Sequence, residues 1–175
     1  YYANRVFQLP LAIFAIATSI ALFPMIAKAI KNKDENRALH LMKKSSLILF
    51  AVLSTSMLIG IVFNEFIVKL LFERGAFNSV DTQNTALILT MYLMGLLPFG
   101  LAKIFSLWLY ANEQQYLSAK ISMKSLAWNI VFSLILIKPY GAAGLAFAST
   151  LSGFILFFLT IKAFGFNKFI TMYKK

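Results

Sequence analysis

Long stretches without charge alternate with short charged segments along this chain. Residues 6–27, 45–64, 82–102 and 139–161 carry no charge, and residues 121–137 carry one lysine near their start. About 20 apolar residues in a helix span the hydrocarbon core of a bilayer. Strands of a membrane β-barrel would be about half as long and would alternate in polarity, which these stretches do not. The pattern predicts an all-α, polytopic membrane protein with five transmembrane helices, at about residues 4–28, 45–72, 82–110, 118–137 and 139–162.

The composition agrees with this class. Hydrophobic residues make up 60% of the 175 residues and charged residues 13%, whereas soluble domains are about half apolar and a quarter charged. The net charge of +11 does not indicate nucleic-acid binding, because the basic residues lie between and after the spans. The chain has no cysteine, which excludes disulfides and thiolate metal sites. It begins at Tyr1 close to a span, so we expect a fragment of a longer chain.

The loops differ in their content of basic residues, which predicts an orientation. One side holds residues 28–44, residues 111–124 and the tail from residue 162, with twelve lysines and arginines. The other side holds residues 65–81 and the link at residue 138, with three, together with Arg5. Short basic loops stay in the cytoplasm, so the first side is predicted to be cytoplasmic. The chain then begins at the outer side of the membrane and ends inside.

Two segments outside the spans have an amphipathic pattern. Residues 31–44 (KNKDENRALHLMKK) alternate charged and apolar positions at helical spacing, which predicts a short helix on the inner surface near anionic lipid. His40 lies in this segment and is interpreted as a surface residue. Residues 163–175 combine aromatic residues with lysines, typical of an interfacial tail or of a segment that leads into further spans.

Prolines and small residues mark places where the spans bend or pack closely. The first span carries Pro10 and Pro24, the third contains MYLMGLLPFG, and the fifth begins GAAGLAFASTLSG. Proline bends helices, and small residues let helix backbones approach each other in membranes. Passive kinks and bends used in a conformational cycle both remain open interpretations.

No constellation of catalytic residues is present. The sequence lacks HExxH, GxSxG and P-loop motifs, and its six acidic residues lie in loops or near helix ends rather than inside a span. We therefore expect neither an enzyme nor a bound cofactor or metal. A membrane acyltransferase is the weakest alternative, since no nucleophile and base occur together.

Two cations within or beside the spans are candidates for binding. On a helix, Tyr1, Asn4, Arg5 and Gln8 fall broadly on one side and form a polar patch at the start of the first span. A guanidinium keeps its charge and offers five donors in a rigid fork, which suits diphosphate oxygens. The alternative is an interfacial arginine that extends toward headgroups. Lys103, inside the third span, either extends to the cytoplasmic surface or adds a second cation to a polar cavity.

Two stretches resemble a known family. YYANRVFQLPLAIFAIATSIALFPMIAKAI is similar to the eighth transmembrane helix of the MurJ (MviN) family of lipid II flippases, which commonly reads like YYADRLxQLPLGxFGxAxATxLLP. LFERGAFNSVDTQNT resembles an outer loop of that family, of the form LFERGAFxxxDT. A Lys-containing helix that ends in Tyr110 and Ala111 follows in the same order. The resemblance covers most of residues 1–161.

The resemblance implies a fold and a function. The chain would be helices eight to twelve of a fourteen-helix, two-lobe transporter in the multidrug/oligosaccharidyl-lipid/polysaccharide exporter superfamily. Its partners would be lipid II, membrane lipids and the rest of the same chain, and it would move lipid II by alternating access. Arg5 would face a central cavity and hold the diphosphate, with Asn4, Gln8 and Lys103 as further substrate-binding candidates. Asn4 replaces a frequent Asp, so any Asp–Arg pairing of relatives would be weaker here.

Other functions remain open at this point. One alternative is a flippase or exporter of another polyprenyl-linked saccharide or of a drug, in the same superfamily. Another is a non-transporting membrane scaffold for cell-wall enzymes.

Overall fold

The computed structural model describes residues 1–174 and is helical, with no β-strand in that range. This confirms the predicted all-α membrane class. The helices are α1 (Tyr2–Pro10), α2 (Ala17–Lys31), α3 (Glu35–Val62), α4 (Asn64–Phe72), α5 (Ser79–Leu93), α6 (Leu96–Ala111), α7 (Gln115–Phe164) and α8 (Phe166–Lys174). Four helical segments are long and apolar enough to cross a membrane: Tyr2–Lys31, Glu35–Val62, Ser79–Ala111 and Gln115–Phe164.

The first span widens just after its first proline. Residues Leu11–Ile16 form a π-helix between α1 and α2, and the N–H of Ala17 donates to the carbonyl of Ala12, five residues back. Pro10 has no N–H to donate, and its ring crowds the carbonyl four residues earlier. The hydrogen bond that Pro10 removes belongs to the turn before it, and the wider turn begins at the next residue, Leu11. Pro24, by contrast, is accommodated inside α2.

The structure differs from the prediction over residues 31–44. The loop is only a short turn after Lys31, and α3 runs without a break from Glu35 to Val62. The side chain of Asp34 accepts the N–H of Arg37 and caps this helix. Ala38 and Met42 are fully buried in the core, so the segment packs against the bundle instead of lying apart on a surface. The predicted separate surface helix is thus the first turns of α3.

The predicted second span, residues 45–72, is interrupted near its C-terminal end. Phe63 leaves helical geometry, and α4 begins at the next residue. Asn64 donates from Nδ2 to the hydroxyl of Thr90 at 2.7 Å, and its Oδ1 accepts the N–H of Glu65. The Asn64 side chain thus links the start of α4 to Thr90 of α5, whose hydroxyl also donates to the carbonyl of Ala86.

The predicted third span, residues 82–110, has a break between α5 and α6. The N–H of Gly95 donates to the carbonyl of Tyr92, so the carbonyl of Met91 loses its usual helical partner. Thr150 of α7 supplies the missing hydrogen bond, at 2.6 Å from Oγ1 to the Met91 oxygen. A Cβ at Gly95 would lie 2.9 Å from this hydroxyl, so glycine is needed for the close approach. A neighbouring helix thereby supplies the hydrogen bond that the Met91 carbonyl lacks at the break, as burial in a membrane requires.

The long helix α7 is a hairpin of two antiparallel halves. A straight helix of its 50 residues would extend about 75 Å, more than twice the hydrocarbon core. Gly141 breaks it with φ 55° and ψ −132°. The hydroxyl of Ser125 donates to the carbonyl of Ser152 at 2.8 Å, and Asn129 donates to the hydroxyls of Ser149 and Ser152. The two halves correspond to the predicted spans 118–137 and 139–162, which together form one of the four segments long and apolar enough to cross a membrane.

The predicted tail, residues 163–175, ends α7 and then forms α8. The ring of Phe105 in α6 packs against Phe164 at the end of α7 and Phe169 in α8, so these contacts connect the three helices. Lys168 pairs with Glu35 at 2.7 Å and lies over the ring of Trp108. Further along α8, the hydroxyl oxygens of Ser46 and Tyr173 lie 2.6 Å apart. The helix is therefore docked on α3 and α6, while Lys175 lies outside the described residues.

Candidate functional site

Arg5 is exposed on the first turns of α1 and is held by Tyr1. Its Nη2 donates to the Tyr1 hydroxyl at 3.0 Å, and its guanidinium carbon lies 4.9 Å from the centroid of the same ring. Residues four apart are neighbours on a helix surface, so the contact follows from sequence spacing. Within residues 1–174, Arg5 forms no ion pair with a carboxylate. The guanidinium therefore keeps most of its donors available for an anion.

The opposite face of α1 is fixed to the bundle by aromatic residues. Phe7 is buried and stacks on Tyr92, with ring centroids 5.6 Å apart. Tyr2, three residues before Arg5 and therefore on its flank, packs against Phe72 and Phe77 at and after the end of α4. These contacts fix the rotation of α1 about its axis, so the direction in which Arg5 projects is determined by Phe7 on the opposite face and Tyr2 beside it.

The predicted polar patch is present in large part. Tyr1, Arg5 and Gln8 are exposed together, while Asn4 is partly buried at the edge of the patch. The structure thus places three of the α1 candidates on one open face and the fourth beside them. The role of Tyr1 as the hydrogen-bond partner of Arg5 was not predicted, although a separation of four residues places the two side chains side by side on a helix.

Lys103 does not join this patch. It is exposed on α6 between buried neighbours Ala102 and Ile104. Phe7 packs on Tyr92, and a Cβ on Gly100 would lie 3.6 Å from the Cβ of Ala15. The two residues of each pair are separated by the same distance along the chain. The first span and the α5–α6 segment therefore run side by side in the same direction. Lys103 lies 13 residues deeper than the level of Arg5, about 20 Å at 1.5 Å per residue.

Two cavities lie away from both cations. An apolar cavity of about 530 Å³ is lined by Met91, Met94 and residues of the α7 hairpin around Gly141 and contains no charged side chain. A more polar cavity of about 440 Å³ lies between α3 and α8. Arg5 lines neither of them, so its patch is an open surface of this chain.

Comparison with known proteins identifies the family. A family model described as "Lipid II flippase MurJ" matches residues 1–174. The chain belongs to the lipid II flippase MurJ family. It is 52% identical over 174 residues to a probable lipid II flippase MurJ of Helicobacter pylori strain J99, covering 99% of this chain and 38% of that protein. A probable lipid II flippase MurJ of Rhizobium meliloti is 34% identical over 155 residues, covering 88% of this chain and 29% of that protein.

The fold agrees with a solved MurJ structure. A chain described as lipid II flippase MurJ in an inward closed conformation superposes with a TM-score of 0.84 at 23% identity. The match covers 98% of this chain and 39% of that one. This chain therefore has the fold of a MurJ segment and spans well under half of the length of the MurJ proteins it matches.

Proposed function

We propose that the protein to which this chain belongs moves lipid II across the cytoplasmic membrane, and that Arg5 binds the diphosphate of that lipid. The relatives that the chain matches are described as probable lipid II flippases. On this proposal the described helices form one wall of the transport path, and the remainder of the protein supplies the other.

The physical problem of such transport is the charged headgroup. An unpaired ion in a medium of low dielectric constant is very costly, whereas the polyprenyl tail is stable in lipid. A fixed cation on the transport path replaces the hydration that the diphosphate loses. Arginine suits this role because its planar fork binds two phosphate oxygens at once and does not lose its charge.

The observation that carries the proposal is the exposed, carboxylate-free environment of Arg5. Its only side-chain hydrogen bond within residues 1–174 goes to Tyr1, a neutral acceptor that leaves the charge uncompensated. Gln8 is exposed on the same face, and Asn4 lies at its edge, so two amide side chains can add donors to phosphate or sugar oxygens. The patch is therefore suited to an anion that arrives from outside the described helices.

Lys103 has a different place in this proposal. A diphosphate that contacts Arg5 does not reach a lysine about 20 Å deeper in the membrane. We assign Lys103 to a separate stage of the path, nearer the predicted cytoplasmic side, where it meets the headgroup before or after Arg5 does.

Alternating access requires parts of the helices that bend. The π-helical segment Leu11–Ile16 lies directly below the Arg5 patch, and the break at Gly95 lies in the span packed against it. Non-α-helical turns and glycine breaks absorb changes in backbone angles at low cost. We propose these two sites as the bending points of this half of the transporter.

The test compares Arg5→Ala and Arg5→Lys in the full-length protein, in cells depleted of their own flippase. Arg37→Ala and Arg37→Lys serve as matched controls, because Arg37 is also exposed. We expect Arg5→Ala to abolish growth and lipid II translocation, and Arg5→Lys to restore little, since lysine cannot make the bidentate contact. The Arg37 variants should grow normally. Normal growth with both Arg5 variants would show that Arg5 does not bind the substrate.

A second measurement identifies the substrate class. Depletion of the protein should cause lipid II to accumulate on the cytoplasmic side of the membrane. Accumulation of a different polyprenyl-linked saccharide would assign another substrate within the same superfamily. Dispensable Arg5 together with an essential segment around Asn36 would instead indicate a scaffold.

A further inference from the structure

A cavity between the start of α3 and α8 has the features of an anion site. Its volume is about 440 Å³, within the range of small-ligand pockets. Its lining consists of Asn36, Leu39, His40, Lys43, Thr171 and Met172. The polar members supply an ammonium, an imidazole and an amide that can donate hydrogen bonds, and no carboxylate is among them. The Thr171 hydroxyl donates to the carbonyl of Asn167 and keeps its oxygen available as an acceptor.

The sequence spacing on α3 explains why these groups converge. Asn36, His40 and Lys43 are separated by four and three residues, so they form one stripe along the helix. Ser46 continues the stripe, and its contact with Tyr173 closes the lower end of the cavity. Away from this contact, α3 and α8 are separated by the cavity, and Thr171 lines it on the α8 side.

Nearby carboxylates are occupied elsewhere. Glu35 forms an ion pair with Lys168 at 2.7 Å, and Asp34 accepts the N–H of Arg37 at the helix cap. The charge of Lys43, which is partly buried, therefore has no acidic partner within residues 1–174. A positive group in such a position attracts an anion from outside the protein.

The depth of the cavity points to a lipid headgroup as the source of that anion. Lys43 and Lys44 are the last charged residues before the uncharged stretch 45–64 that crosses the membrane. Lys43 therefore lies at the boundary between headgroups and hydrocarbon. Leu39 and Met172 add apolar lining on which the start of an acyl chain can pack.

We propose that this cavity binds the phosphate of an anionic phospholipid of the adjacent leaflet. Lys43 and His40 contact the phosphate oxygens, Asn36 and Thr171 bind the glycerol headgroup, and the acyl chains extend along α3. The bound lipid would join α8 to α3 and thereby hold the end of the hairpin α7 in place. The proposal does not depend on which substrate the protein transports.

The test measures binding of phosphatidylglycerol to the purified full-length protein by native mass spectrometry. Lys43→Gln removes the central charge, and Lys124→Gln removes an exposed charge outside the cavity as its control. Thr171→Trp fills the cavity without changing any charge, and Asn167→Trp places the same ring on another exposed position of α8. Phosphatidylcholine and inorganic phosphate are compared as ligands.

We expect Lys43→Gln to weaken phosphatidylglycerol binding about fivefold, as for one basic residue near an anionic surface, and Thr171→Trp to weaken it at least as much. Both controls should stay within about twofold of the unmodified protein. Equal losses for Lys43→Gln and Lys124→Gln, or no loss for Thr171→Trp, would indicate diffuse attraction and overturn the proposal. Equal binding of phosphatidylcholine, or displacement of the lipid by inorganic phosphate, would overturn it as well.

Discussion

Thr150 of α7 donates a 2.6 Å hydrogen bond to the backbone carbonyl of Met91, at the break between α5 and α6. The bond links two spans that are far apart in sequence, and it satisfies a carbonyl that its own helix has left free. A break of this kind is tolerated in a membrane only where a neighbour replaces the lost hydrogen bond. The break and the hairpin therefore depend on each other.

The first prediction concerns this bond. Thr150→Val keeps the shape of the side chain and leaves the Met91 carbonyl without a partner, so it should destabilise the protein by about 0.6–2 kcal/mol. The measurement is the thermal unfolding of the full-length protein in detergent. Thr55→Val is the control, because Thr55 is exposed and bonds only within its own helix. A Thr150 variant as stable as the control would contradict the assigned role.

The second prediction concerns the reversal of α7. In the hairpin, Ser125 and Ser152 are in contact, whereas in a straight helix they would be about 40 Å apart. Ser125→Cys with Ser152→Cys should therefore form a cross-link under mild oxidation or with a short bifunctional reagent. The pair Ser125→Cys with Thr160→Cys should not, because residue 160 is displaced by about two turns. This chain has no cysteine of its own, which keeps its background low.

The third prediction concerns Gly141, which makes the reversal possible. Its φ of 55° with ψ of −132° is strained for any residue with a Cβ, although no atom lies within 4 Å to clash with one. Gly141→Ala should therefore destabilise the protein by about 1–3 kcal/mol through backbone strain alone. Ala142→Ser, at the next exposed position, should have a small effect in the same unfolding assay. Equal stability of the two variants would show that the turn adopts another geometry.

The fourth prediction concerns the docking of α8 through Tyr173. Burial raises the pKa of the Tyr173 phenol, and the hydrogen bond to Ser46 opposes this in part. Because the pKa is higher in the folded state, the docked form is fully stable below about pH 10 and loses stability as the pH rises above that value. The protection of residues 166–174 against hydrogen exchange, taken relative to the intrinsic exchange rate at each pH, should therefore fall in that range.

Two variants test this explanation. Tyr173→Phe should be less protected at neutral pH, because it lacks the bond to Ser46, and its protection relative to the intrinsic rate should not fall further above about pH 10. Tyr116→Phe, at a position that is 80% exposed, should behave like the unmodified protein. An alkaline loss of protection that persists in Tyr173→Phe would assign the effect to another group.

The sequence predicted the helical membrane class, because uncharged stretches of about 20 residues match the thickness of the hydrocarbon core of a bilayer. It also indicated regions where the helices depart from regular geometry, namely after Pro10, at Gly95 and near residue 139, whereas Pro24 is accommodated inside α2. It did not predict that residues 35–44 continue into α3, since an amphipathic stretch has the same pattern whether its apolar face meets lipid or a neighbouring helix. The burial of Ala38 and Met42 decides that question.

The candidate site also has features that the sequence predicted and features that it did not. The one-turn spacing of Tyr1, Arg5 and Gln8 follows from helical periodicity, so their shared exposure was predictable. The separation of Lys103 from Arg5 was not, because it depends on how far the third span is shifted along the first. That shift is fixed by the packing of Phe7 on Tyr92 and of Ala15 on Gly100.

The sequence by itself determined the membrane class and the place of a permanent charge at the start of the first span, since these depend on local composition and helical spacing. Only the tertiary structure decided which face of α1 is open, which carbonyl Thr150 satisfies and how α8 encloses a basic cavity with α3. These features depend on contacts between residues distant in the chain, and neither hydrophobic periodicity nor charge count contains their geometry.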